Sequence, residues 1–314
     1  MIDKETMGLK FGQAICYSGF RHGQRPGDVY PTYEQVKEDL LILEKNWQYI
    51  RLYDCDQHAE TVLEVIRKEK LELKVLLGVY IEAEMNNFGC PWGGGTYAEE
   101  VLTFNKSNNA KKVEKLIGLA QQNEDTIVAL AAGNEACVDW TDHYVSQESV
   151  INYVKRIKAV AKQPVTFCEN YVPWLTKLDA LAEVVDFIAI HTYPVWEYKN
   201  IHEAIDYTKQ NYYAVAEKYP NKPVVITEAG WATQSNGRGI DPSNVSEELQ
   251  VIYYNDLMTW TNKEQIFTFV FEAFDEPWKG SPEPLEPEKH WGLFYEDRTP
   301  KLVMKSKYSV VEGL

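Results

Sequence analysis

Two glutamates stand out by where they fall. Glu135 closes the run Ala131-Ala132-Gly133-Asn134-Glu135, and Glu228 sits within Ile226-Thr227-Glu228-Ala229-Gly230-Trp231, so each follows a short apolar segment. Further acids end similar segments: Asp54, Glu82, Glu84, Glu169, Glu272, Asp275 and Glu276. Gathering carboxylates costs desolvation and mutual repulsion, so such a set implies a metal, a bound cation or acid/base work. A metal needs ligands such as histidine nearby. The six histidines, His22, His58, His143, His191, His202 and His290, show no HxH or HExxH spacing. No GxSxG elbow marks a serine hydrolase. Two carboxyl groups across a ring-lined cleft fit glycoside cleavage, one protonating the leaving oxygen while the other attacks or activates water. Taken singly, Glu135 and Glu228 read equally well as solvated acids at strand ends.

The elements that would carry these acids alternate along the chain. Apolar runs occur at Leu9 to Cys16, Tyr49 to Tyr53, Leu73 to Tyr80, Thr126 to Ala132, Val165 to Glu169, Val185 to His191, Pro223 to Thr227 and Ile266 to Phe271. Each is short, nearly unbroken and rich in β-branched or aromatic residues, as parallel strands buried on both faces are. Helix patterns lie between them. Thr32 to Gln35 reads as a capping box ahead of Val36, Leu40, Leu43 and Trp47, Ser246 caps a run to Trp260, and Pro300 is placed in the first turn of a last helix. Eight strands each followed by a helical segment predict a single-domain (β/α)8 TIM barrel over residues 1–314, an α/β fold whose functional groups stand at the C-terminal strand ends. A doubly wound sheet shows the same alternation, but the turn Tyr17-Ser18-Gly19-Phe20 carries no GxGxxG and no Walker-type motif occurs. Gly93 to Gly95 reads as flexibility in a long loop from Glu82 to Lys106, and Ser281 to Lys289 as a second long loop.

On these segments the chain resembles glycoside hydrolase family 17, the β-1,3-glucanase family within the large clan of retaining glycosidases. The matching pieces are IRLYD at Ile50 to Asp54, AAGNE at Ala131 to Glu135, IAIHTYP at Ile188 to Pro194, ITEAGWAT at Ile226 to Thr233, FEAFDEPWK at Phe271 to Lys279 and HWGLFYEDRTPK at His290 to Lys301. They run in order across nearly the whole chain. The resemblance implies Glu135 as general acid/base, Glu228 as nucleophile and Asn134 as the partner of the sugar 2-hydroxyl. It implies that Tyr193 orients the nucleophile and that Glu276 and Lys279 belong to the strand-eight end of the site. Plant members carry Asn-Glu-Asn-Gln-Lys where this chain has Asp275-Glu276-Pro277-Trp278-Lys279. The implied reaction is retaining, endo-acting hydrolysis of a β-1,3-glucan such as laminarin by double displacement, with carboxyl groups about 5 to 5.5 Å apart and neither cofactor nor metal. The same glycosyl-enzyme delivered to a sugar would make a β-1,3-glucanosyltransferase, and a barrel that had lost catalysis would only bind glycan.

Other residues read with two meanings. Arg51 pairs with Glu228 or bridges elsewhere in the mouth, and Glu276 with Lys279 is either part of the site or a plain ion pair. His191 should face the same side as Tyr193, and a satisfied core histidine fits it equally. Trp 9, Tyr 20 and Phe 11 amount to 13% of residues, and some should serve as sugar platforms. The candidates after strands are Trp92, Trp140, Trp174, Trp196, Trp231, Trp278 and Trp291, with Tyr17 beside them.

Composition bounds the partners. Lys+Arg 32 against Asp+Glu 47 gives a net charge of −15 over 314 residues, with no basic stripe, which argues against nucleic acid and leaves neutral, cationic or small partners open; a β-glucan polysaccharide or oligosaccharide is the partner the resemblance implies. Cys16, Cys55, Cys90, Cys137 and Cys168 form neither a zinc knuckle nor a disulfide framework. No apolar run spans a bilayer, the start MIDKETMGLK has no leader core, and a monomer is expected. The reading for location is secreted or periplasmic if a leader has been removed, cytoplasmic if the chain is whole.

Overall fold

The computed structural model describes residues 9–308. Eight parallel strands close a barrel in sequence order, each paired with its chain neighbours and the last with the first. They are β1 (Ala14–Cys16), β2 (Tyr49–Leu52), β3 (Lys74–Gly78), β4 (Ile127–Asn134), β5 (Val165–Asn170), β6 (Ile188–His191), β7 (Val224–Ala229) and β8 (Thr268–Val270). The helices are α1 (Tyr33–Leu43), α2 (Gln57–Glu69), α3 (Glu99–Gln122), α4 (Gln147–Lys158), α5 (Tyr171–Thr176), α6 (Asp179–Val184), α7 (Ile201–Lys218), α8 (Glu247–Glu264) and α9 (Leu302–Lys305). The predicted (β/α)8 architecture is the observed one. Seven of the eight strands are buried at every residue or all but their first or end positions, which is why their sequences lack alternation.

Local chemistry starts the helices where it was expected. Thr32 caps α1 through the Gln35 amide while the Gln35 side chain returns to the Thr32 amide, and Ser246 caps α8 through Leu249. Two expectations shift. Pro300 lies ahead of the α9 cap at Lys301, so it precedes the helix and does not occupy its first turn. The loop predicted to reach Lys106 ends at Ala98, because α3 has already begun at Glu99. Residues 1–8 of the segment read for a leader lie outside the described region. No described helix is long and apolar enough to cross a membrane.

Two irregularities in the barrel wall place the site. Between β4 and β5, Ala131 pairs with Thr166 and Asn134 with Cys168, so three steps on β4 face two on β5. On β7 an extra residue enters between Ile226 and Glu228, which pair with Ile190 and His191, and the same strand slips against β8. Such bulges re-aim side chains at a barrel rim. Here they lie beside Glu135 and Glu228.

Candidate active site

Gly133 shapes the first bulge. Its φ is +135°, and a Cβ there would sit 2.8 Å from the Phe167 ring and 3.3 Å from Ile81. The chain then passes through Asn134 into Glu135 at φ +46°, a left-handed conformation that a non-glycine residue holds at a cost of about 1–3 kcal/mol when its surroundings over-determine it. The Glu135 amide donates to the Cys168 carbonyl at 2.9 Å, which fixes the turn. The Glu135 side chain is 17% exposed, whereas that of Glu228 is 6% exposed. One therefore reaches the cleft and the other lines its floor.

Glu228 is held from both sides. Arg51 Nη1 donates to Oε1 at 2.5 Å and the Tyr193 hydroxyl donates to Oε2. Arg51 Nη2 donates to Asn134 Oδ1, so one buried guanidinium ties the second, fourth and seventh strands together. Of the two meanings of Arg51, the pairing with Glu228 is the observed one. Burial pushes the Glu228 carboxyl up, but the His191 and Arg51 charges and the bonds from Tyr193 and Arg51 outweigh it and pull the group down to about 2. Glu228 is ionised at neutral pH.

His191 ends β6 and is fully buried. Its Nδ1 lies 2.8 Å from Glu135 Oε1 and 3.5 Å from Glu228 Oε2. Burial pulls the imidazole down, yet the charges of Glu228 and Glu135 raise it to about 10. The histidine is thus an imidazolium lying between Glu135 and Glu228, and with Arg51 it offsets the charge of Glu228. Donor atoms of Glu135, His191 and Glu228 all lie within 4.8 Å of one another. That set does not suit a resident metal ion: Glu228 is already engaged by Arg51 and Tyr193, and an added cation would stand against two positive groups.

A second charged cluster borders the pair. Lys279 Nζ lies 2.5 Å from Glu276 Oε2 and 3.2 Å from Glu272 Oε2. Both acids are buried, and burial followed by the Glu276 charge raises Glu272 well above the carboxylate range despite Lys279. Burial also lifts Glu288 to about 7, opposed by Lys279 and reinforced by the Glu135 charge. Three acids there face one lysine.

The structure brings Arg51, Asn134, Glu135, Tyr193 and Glu228 together and sets Glu276 and Lys279 beside them. It removes other candidates. Trp231 is 1% exposed, donates its indole N–H to the Asn244 carbonyl and packs against Tyr253 at 5.4 Å, so it offers no face to a sugar. Tyr17 is equally buried and donates to Asp39 Oδ2 at 3.0 Å. Trp174 and Trp291 also belong to the core. Trp140 and Trp92 stay exposed on the loops after β4 and β3, together with Phe88, which drew no attention in the sequence. Trp92 faces the Arg238 guanidinium of the loop after β7 at 5.6 Å. Trp278 is partly buried, its indole N–H buried without a partner. Sequence reasoning left His191 undecided and missed Tyr53, whose ring lies 4.4 Å from the Arg51 guanidinium and whose hydroxyl is buried and unpaired. It also missed Glu288, which lay unmarked inside the Ser281 to Lys289 loop.

An ionised, clamped carboxylate and a second acid within reach of it, at the C-terminal mouth of a (β/α)8 barrel, define the class of glycoside hydrolase barrels. A family model described as the BtgE/BtgC glycoside hydrolase domain matches residues 14–292, and the chain belongs to that family. A glucan 1,3-beta-glucosidase of Arthroderma benhamiae is 26% identical over 305 residues, covering 90% of this chain and 88% of that protein. The glucan endo-1,3-beta-glucosidase btgC of Emericella nidulans is 24% identical over 272 residues, 79% of this chain. The chain spans 36% to 38% of the length of the btgC relatives it matches. Among solved structures, an endo-laminarinase from Formosa Hel1_33_131 superposes with a TM-score of 0.83 at 27% identity, covering 98% of this chain and 89% of that one. A Rhizomucor miehei beta-1,3-glucanosyltransferase in complex with laminaritriose shares the fold, with a TM-score of 0.73 at 21% identity over 96% of this chain and 97% of that one.

Proposed function

We propose that this chain is a retaining, endo-acting β-1,3-glucanase of glycoside hydrolase family 17 that cleaves laminarin-like glucan by double displacement on a single catalytic barrel. The observation that carries the reading is the carboxyl pair: one oxygen of Glu135 and one of Glu228 lie within 4.8 Å of each other, which favours the roughly 5–5.5 Å carboxyl separation of a retaining pair over the roughly 6.5–9.5 Å gap of an inverting one. Glu228, ionised and aimed by Arg51 and Tyr193, attacks the anomeric carbon. Glu135, on the more exposed side, gives its proton to the glycosidic oxygen and then takes one from the incoming water.

Asn134 supports the same geometry. Its Oδ1 accepts from Arg51, which leaves the amide NH2 free to donate to the sugar 2-hydroxyl. The unpaired Tyr53 hydroxyl is a second polar group that a sugar would satisfy. Lys279, held by the buried Glu276 and Glu272 and itself partly exposed, supplies a hydrogen-bond donor beside the pair, and Trp140, Trp92 and Trp278 supply ring faces. The names of the relatives, glucan 1,3-beta-glucosidase and endo-laminarinase, favour a β-1,3-glucan over other polymers.

A panel of β-1,3-, β-1,4-, β-1,6- and mixed-linkage glucans assayed with the parent and Glu228→Ala tests this. Activity should be confined to β-1,3-linked chains and fall by about 10⁴-fold or more in the variant, the scale of losing a nucleophile. Undiminished activity in Glu228→Ala would contradict the assignment. Products longer than the starting oligosaccharide would replace hydrolysis by transfer to sugar.

A further inference from the structure

The hydrogen bond between His191 and Glu135 has a consequence for where the site's proton rests. His191 is fully buried, and its Nε2 makes no hydrogen bond. Besides packing and the Cys168 thiol beside it, the ring is held through Nδ1, which points between the two carboxylates at 2.8 and 3.5 Å. Every titratable or charged group facing it follows from the strand order. Glu135 comes from the end of β4, Cys168 and Glu169 from β5 and Glu228 from β7, with Arg51 of β2 behind Glu228 and Tyr193 two residues along. Glu169 has its oxygens turned to the amides of Cys137 and Asn170 at 2.8 and 2.7 Å. That leaves Glu135 and Glu228 as the carboxylates with which the Nδ1 proton is shared.

We propose that His191 holds the proton that Glu135 delivers, and that the charge on Glu228 decides which of the two carries it. The proposal rests on the double-displacement reading of the site. In the free protein the Glu228 carboxylate keeps the proton on His191 Nδ1. As Glu228 bonds to the anomeric carbon its negative charge is lost, and the attraction holding the proton on the imidazole goes with it. The proton crosses the 2.8 Å hydrogen bond to Glu135 Oε1 and passes to the glycosidic oxygen as the C–O bond breaks, leaving His191 neutral and Glu135 ionised. In the second half, Glu135 removes a proton from water, hydroxide oxygen bonds to the anomeric carbon and the bond to Glu228 breaks. Glu228 recovers its charge, and the proton returns to His191. One water is consumed and no proton is gained or lost over the cycle. His191 acts through Glu135 and touches no reacting atom.

The direct test is nitrogen NMR of the full chain labelled with ¹⁵N-histidine, free and after trapping with a 2-deoxy-2-fluoro-β-laminaribiosyl fluoride, with mass spectrometry locating the sugar. At pH 7.5 the free protein should show His191 protonated on both nitrogens. The trapped protein, labelled on Glu228, should show it neutral, with a midpoint at least about two pH units lower, since loss of one adjacent charge shifts a buried group by that order. An imidazole that is neutral in the free protein, or equally protonated in both, overturns the proposal. A sugar found elsewhere than on Glu228 overturns the nucleophile assignment and the proposal with it. His191→Asn keeps a hydrogen-bond donor without a titrating ring. It should lower kcat/KM on laminarioligosaccharides by about 10²-fold, but by less than about threefold on a dinitrophenyl glycoside whose leaving group needs no proton. The alkaline limb of its pH profile should move to lower pH. Equal losses on both substrates with an unmoved limb would show that the ring only shapes the site.

Discussion

The partners that burial leaves within reach, more than burial itself, decide what each acid in this mouth does. Glu228 and Glu169 are both almost fully covered, yet Arg51 and His191 surround the first while Glu169 has only amides for partners. Their acidities diverge accordingly, Glu228 to about 2 and Glu169 up to about 8, through burial first and the Glu135 charge second. The stability consequences have opposite signs. Glu228 contributes stability that is present above the unfolded carboxyl value and is lost as pH falls toward 2. Glu169 contributes stability that is present below that value and is lost as pH rises through 8, because the unfolded chain releases the proton first. The Tm of Glu169→Gln should therefore change less between pH 5 and pH 8 than that of the parent; parallel curves would show that Glu169 does not carry the effect. At this scale the sequence revealed the residue types and their places at strand ends, and the resemblance to family 17 singled out Glu135, Glu228, Asn134 and Tyr193, which the structure brings together. It could not reveal depth. Trp231 and Tyr17 follow strands as a platform would, but α8 behind one and Asp39 of α1 beside the other draw them into the wall. His191 shows the converse, since a histidine two residues before a tyrosine reads the same whether it meets carboxylates or core.

Elements carry the site through their irregularities, and on β4 the irregularity is built in by glycine. The β4 bulge depends on a residue at position 133 that accepts φ +135° and no Cβ, and Gly133 meets both needs. Gly133→Ala should cost about 1–3 kcal/mol of stability in a denaturant titration. It should also lower kcat on β-1,3-glucan by at least about tenfold under folded conditions, because a misplacement of about 1 Å at Glu135 is enough for that. Retained kcat would show that the bulge does not aim the acid. All eight strands were legible from unbroken apolarity, though most are shorter than their apolar runs. Leu9 to Gln13, for example, lies outside the ladder that begins at Ala14. Pairing, not hydrophobicity, sets the ends. The two bulges were not legible, because a register slip is a property of two strands and no single stretch of sequence records it. Glu288 escaped notice for a similar reason: the single turn of 3₁₀ helix at Pro287–Lys289 folds the loop back toward Lys279, and a Pro/Glu-rich stretch gives no sign of that contact.

At the scale of the whole molecule the charge pattern separates surface from site. A net charge of −15 surrounds a cleft in which Arg51, His191 and Lys279 offset the acids locally. A neutral glucan gains nothing from the outer field, so KM on laminarin should change by less than about twofold between 0.05 and 0.5 M salt, where the Debye length shrinks severalfold. A steep salt dependence would point to a charged substrate. The barrel itself does one thing for the proposed chemistry: it brings the ends of β4, β6 and β7, separated in the chain, to one small region where the His191 imidazolium lies 2.8 Å from Glu135 and 3.5 Å from Glu228. That convergence predicts the stereochemistry of the product. Proton NMR of laminarioligosaccharide cleavage in its first minutes should show the new reducing end appearing as the β-anomer, with the α-anomer growing only by later mutarotation. The α-anomer appearing first would contradict attack by Glu228 and the account built on it.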